Sequence, residues 1–174
     1  MLRAAHPAAY ARYVDPGPAR PRRVFEAISE GVGFGSLERL SADSLAVLRP
    51  RLSAVEKAIA LRRAFGSAGR PYDFEFDFRT DAALVCTEVI YKAYEPSAGL
   101  RGLRWEVPEI LGRPVLPPNE LARQFDAAYS TRDQQLDLVL FLDGQERGST
   151  AVERDLEAFR QSWRRPKWHG LAPP

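Results

Sequence analysis

Apolar residues recur along the chain in short blocks, and the spacing within each block predicts the elements. Val24-Phe25-Glu26-Ala27-Ile28 is rich in β-branched and aromatic residues and predicts a strand. The preceding stretch, residues 15–23, holds Pro16, Gly17, Pro18 and Pro21 and reads as a loop between two short strands. Leu45 to Arg49 predicts another strand, which Pro50 limits. Ser53 and Glu56 then fit a capping box, opening a helix with Val55, Ala58 and Ile59 as its apolar stripe and Gly66 and Gly69 at its close. From Tyr72 to Phe78 aromatic and acidic residues alternate. That period of two predicts an extended, half-buried segment with Tyr72, Phe74, Phe76 and Phe78 inward.

Thr80 or Asp81 is placed to cap a helix running from about Ala82 to Tyr94. Cys86, Val89, Ile90 and Ala93 would share one face of it, directing Cys86 toward packed structure. Pro and Gly at close intervals between Pro96 and Pro118 read as a long connection, followed by a short helix spaced by Leu121, Phe125 and Tyr129. Leu136 to Leu142 is the strongest strand signal and belongs at the centre of a sheet. Thr150 with Glu153 fits a second capping box, before a helix marked by Leu156, Phe159 and Trp163. The tail from Arg164 to Pro174 is basic and Pro-rich. The expected class is α+β, in a single domain over residues 1–174.

Composition narrows the choice of function. With 45% hydrophobic and 28% charged residues, wholesale disorder is excluded. Lys+Arg 25 against Asp+Glu 23 leaves a net charge of +2, which argues against a polyanion-binding protein and leaves nucleic-acid binding through the tail the weakest reading. One cysteine and two histidines exclude an intrachain disulfide and disfavour a Cys/His metal site, so neither metal nor cofactor is expected. No apolar run approaches the roughly 20 residues that span a bilayer, and the first residues lack a signal-peptide core. A cytoplasmic location is the default expectation.

The remaining chemistry centres on Cys86. A thiol near a helix N-terminus is a candidate nucleophile, because aligned peptide dipoles stabilise a thiolate there. Against this, free cysteines often fill cores. A nucleophilic thiol needs a base, and the chain offers only His6 and His169. His169 sits in the Pro-rich tail, whereas His6 precedes Pro7-Ala8-Ala9-Tyr10, a candidate extended segment. Glu26, inside an otherwise apolar strand, could accept the imidazole Nδ1–H if it faces the thiol helix.

Tyr72-Asp73-Phe74 followed by Leu84-Val85-Cys86-Thr87-Glu88-Val89-Ile90-Tyr91 resembles the YiiX-like family, a circularly permuted branch of the NlpC-type papain-like cysteine hydrolases. Thr87 stands where the family pattern has Ser, and Val24-Phe25-Glu26-Ala27 is similar to its Val-Ile-Glu-Ala strand. His6-Pro7-Ala8-Ala9-Tyr10 occupies the place of the family's histidine strand, and the Gly-Asp strand that precedes it there has no match in this chain. The resemblance implies a permuted papain-like fold, with helices packed on a central antiparallel sheet. It implies Cys86 as nucleophile, His6 as base and Glu26 as the group that orients the base. Tyr72 is implied beside the thiol, as an oxyanion donor or a packed aromatic. Glu88 is read as structural, paired with Lys92. The implied activity is hydrolysis of an amide or acyl bond in a peptide-like or acylated amide; the alternative is a binding module with a degenerate site.

Overall fold

A computed structural model describes residues 22–37, 42–144 and 150–165, together with Ala4, Pro7 and Ala8. His6 and His169 lie outside the described residues. Among the described residues these elements follow in chain order: β1 (Arg22–Ile28), β2 (Gly31–Ser36), β3 (Ser44–Pro50), α1 (Ala54–Gly66), α2 (Cys86–Tyr94), β4 (Glu109–Ile110), β5 (Arg113–Pro114), α3 (Pro118–Ala128), β6 (Leu136–Gly144), β7 (Ala151–Glu153) and α4 (Leu156–Ser162). The class is mixed α+β, as the pattern predicts. The antiparallel pairing is distributed over small sheets, β1-β2, β3-β6-β7 and β4-β5, among the described residues. The chain divides into two compact units, Met1–Ser41 with Leu52–Pro117, and Ala42–Arg51 with Pro118–Pro174.

In the first unit, β1 and β2 form a hairpin in which Phe25 faces Phe34 and Ala27 faces Val32. One hairpin face carries these apolar residues. Ala27 and Val32 join Leu84 and Val89 in the core, with Phe25 and Tyr72 packed against them. Phe25, Phe34 and Phe65 of α1 close a ring triangle with centroids 4.9 to 5.4 Å apart. The partner strand β2, Gly-Val-Gly-Phe-Gly-Ser, escapes the sequence reading because three glycines dilute its strand propensity. α1 begins with the expected capping box, Ser53 and Glu56 exchanging side chain-to-backbone bonds. Its buried face carries Ala60 and Phe65, while Val55, expected on the apolar stripe, is exposed.

Two expectations fail together around residue 80. The 72–78 segment is not an inward-facing strand. Tyr72 makes only an isolated bridge to Leu84, and the chain then turns. The Asp73 carboxylate drives the turn by accepting the Glu75 amide at 2.8 Å and the Asp77 amide at 2.7 Å. Phe78 is buried, but Phe74 and Phe76 are exposed. The Leu84 amide donates to the Pro71 carbonyl at 3.0 Å, and the Asp73 amide to the Leu84 carbonyl at 3.3 Å. Leu84 is thereby held extended, so α2 starts at Cys86 rather than at Ala82. Val85 is its N-cap, with no side-chain cap, and Asp81 pairs with Lys92 at 2.6 Å instead of capping.

In the second unit β6 lies between β3 and β7, the central place expected of it. Phe159 of α4 packs on Phe125 of α3 and on Phe141 of β6. The second capping box does not form. Residues 151–153 are strand β7, which pairs with β6, and Asp155 caps α4 by accepting the Ala158 amide. The 96–118 connection contains the short β4-β5 hairpin.

Candidate functional site

The position of Cys86 follows from backbone pairing. β2 passes its edge to residues 69–70, because the Val32 amide donates to the Arg70 carbonyl and the Gly69 amide to the Val32 carbonyl, both at 2.8 Å. Such proximity requires Gly31, whose φ is +105° and where a Cβ would stand 2.7 Å from the Arg70 carbonyl oxygen. The chain runs on to Tyr72, which bridges Leu84, two residues before Cys86. Cys86 is therefore the first residue of α2, and its side chain is exposed. The expected inward direction is wrong because the helix starts four residues late. Thr87, Glu88, Val89 and Ala93 form the buried face, and Ile90 is exposed with Cys86.

Tyr72 is half-buried and lies within electrostatic reach of the thiol. Burial first, then the Cys86 sulfur and the Asp73 carboxylate, raise the pKa of its hydroxyl above the usual phenol value. The hydroxyl stays protonated at neutral pH and is available as a donor.

Glu88 is 0% exposed, and neither carboxylate oxygen makes a hydrogen bond with any described group. The Val85 amide at the N-cap is the donor it turns back toward, and Lys92 Nζ stands 4.0 Å away, the expected i,i+4 pairing in a loose form. Desolvation dominates and pushes its pKa up to about 7, aided by Asp73 and Asp81 and opposed by the Val85 amide and Lys92. The sequence places Glu88 at the third position of a helix only if the helix starts at Cys86, so its burial was invisible until that start was known.

Residues 3–149 match the family of the permuted papain-like amidase enzyme, YaeF/YiiX, C92 family. The chain belongs to this family. Membership of this amidase family implies an amide as the substrate class. The match spans His6, Glu26, Tyr72 and Cys86 and ends before α4. No curated protein and no solved structure matches the chain. None of the described helices is long and apolar enough to cross a membrane. Among the described residues no group of three or more His, Cys, Asp or Glu side chains is placed to hold a metal ion.

Glu26 is half-buried on β1, opposite Gly33. Its neighbours Phe25 and Ala27 face the core that includes Val89 of α2, so strand alternation turns Glu26 to the other hairpin face. There its carboxylate lies across Gly35, where a Cβ would meet Oε1 at 1.8 Å. Glu26 thus lies on the face turned from the thiol helix, not on the face its orienting role would need. Pro7 and Ala8, expected to be extended, are helical and exposed.

Proposed function

We propose that the protein is a thiol hydrolase that cleaves an amide or related acyl bond through a thioacyl intermediate on Cys86. The observation that carries this reading is an exposed thiol at the first position of a helix, with a protonated tyrosine hydroxyl in its field. Helix-terminal amides favour negative charge on the attacking sulfur. The sulfur adds to the carbonyl carbon, and the C=O electron pair moves onto oxygen, where the Tyr72 hydroxyl donates a hydrogen bond. His6 takes the thiol proton and returns it to the leaving amine as the C–N bond breaks. Water, deprotonated by the same imidazole, then opens the thioester and releases the carboxylic acid and the thiol. An amine in place of water would make the second half an acyl transfer.

Glu26 is assigned to holding the imidazole Nδ1–H. This role requires one imidazole to reach both the Cys86 thiol and, round the edge of the hairpin, the face that bears Gly33 and Gly35. The orientation of Glu26 away from α2 is also what favours the second reading, a papain-like binding module without turnover.

Amide cleavage by the full chain separates the two. With N-acyl p-nitroanilides, acid-quenched wild-type protein should carry the acyl mass on its single cysteine, and Cys86→Ala or His6→Ala should lower release by about 10³-fold or more. Release that survives Cys86→Ala would overturn the hydrolase reading. Substrate binding with neither adduct nor release would select the binding module.

A further inference from the structure

Glu88, the third residue of α2, is 0% exposed, and the chemistry at Cys86 makes no use of its carboxylate. Neither oxygen makes a hydrogen bond with a described group. Among the described residues a single cation acts on it, Lys92 on the next turn of the helix, with Nζ 4.0 Å from Oε1. The same ammonium stands 2.6 Å from Asp81 Oδ1. One cation therefore lies between two carboxylates in opposite settings, for the Glu88 side chain is fully buried and that of Asp81 is 61% exposed.

The other charged groups around Glu88 are engaged elsewhere. On the segment before α2, the Asp73 carboxylate accepts the Glu75 and Asp77 amides, and Arg70 donates to the Asp81 carbonyl at 2.7 Å. From α1, Arg63 donates to the Glu95 carbonyl, and Glu95 itself acts on Lys92. Glu26 of β1 is turned to the other hairpin face. Lys92 and Asp81 line an open cleft of about 330 Å³ with Arg63 and Arg70, which gives the ammonium room to swing.

While Glu88 keeps its proton it needs no counter-charge, and Lys92 stays on Asp81. Once ionised, Glu88 carries its charge out of water, where an unpaired carboxylate is far costlier than one at the surface. Asp81 can exchange its partner for water at little cost, because exposed ion pairs contribute little. Among the described residues, the main chain of residues 81–83 is fastened by the Arg70 bond to the Asp81 carbonyl and, through the Asp81 side chain, by Lys92.

We propose that Glu88 and Asp81 compete for Lys92, and that loss of the Glu88 proton hands the ammonium to Glu88 and unties residues 81–83, the segment leading into the thiol helix. The exchange is a property of the fold and holds whether or not Cys86 turns over a substrate.

The full chain has only Lys57, Lys92 and Lys167 as lysines, so carbon-13 lysine labelling isolates the Lys92 signals, assigned by their loss in Lys92→Arg. In nuclear Overhauser spectra, the contact of Lys92 Hε with Asp81 Hβ should weaken several-fold relative to that with Glu88 Hγ between about pH 5.5 and about pH 8.5. Methyl relaxation of Ala82 and Ala83 should report larger motions over the same range. In Glu88→Gln both readouts should stay at their acid values throughout. Asp81→Asn, at an exposed side chain that does not threaten the fold, should leave Ala82 and Ala83 mobile even in acid. A Lys92–Asp81 contact that persists in alkaline wild type overturns the proposal, as does equal weakening in Glu88→Gln. Methyls that stay fixed in alkaline wild type, or in Asp81→Asn, overturn it too.

Discussion

Beneath the exposed thiol, at the third position of the same helix, Glu88 has lost its water without gaining a hydrogen bond. Its pKa is raised by burial from 4.5 to about 7, so the folded state holds a proton that the unfolded chain releases. Folding is therefore least penalised below pH 4.5, and the penalty grows as pH rises through 7. Between those limits wild type should lose about 3 kcal/mol more stability than Glu88→Gln, seen in urea unfolding curves at pH 4.5 and 8. An identical pH dependence in the two proteins would mean that Glu88 finds a partner or water. Tyr72 makes a separate demand. If its hydroxyl serves the oxyanion, Tyr72→Phe should lower kcat by about 10² to 10³ with little change in KM. Equal kcat would leave the ring with a packing role alone. Residue type singled out Cys86 in the sequence and the family resemblance singled out Tyr72; the exposure of the thiol was not legible, because it depends on where the helix begins.

That beginning is decided between elements. Leu84 is extended because Pro71 and Asp73 bond to it across a gap of more than ten residues, and no local signal reports such a pairing. The alternation of Tyr72, Phe74, Phe76 and Phe78 mimics a strand for a related reason: the aromatic spacing says nothing of the Asp73 carboxylate that folds the segment into a turn. Local devices fared better. Ser53 and Glu56 cap α1 as their spacing predicts, and Ser53→Ala should cost about 1 kcal/mol in chemical unfolding. Thr150 and Glu153 have the same spacing and fail, since β6 recruits residues 151–153 as a strand first. Gly31→Ala tests the join between β2 and the residues leading to Tyr72. Left-handed strain and the close Arg70 carbonyl together should cost about 2 kcal/mol or more, and a smaller loss would show that the join yields easily.

At the scale of the molecule, the α+β class was legible because strong strands and periodic helices are mixed along the chain. The family was legible because the residues around Cys86 sit in a specific order, and that match needs no knowledge of which way the thiol points. The division into small sheets was not legible, since β2 and β7 carry few residues with strand propensity. The thiol itself is carried by a relay of main-chain contacts running from Val32 through Gly69 and Arg70 to Asp73 and Leu84. Main-chain contacts are indifferent to most side-chain changes but open cooperatively. In amide hydrogen exchange, the Val32, Gly69 and Leu84 protons should therefore share one opening free energy, although 37 residues separate the first two and 15 the last two. Gly31→Ala should lower all three protection factors by the same ratio. Three independent rates would mean that each join opens alone and that the thiol helix can detach without disturbing the hairpin.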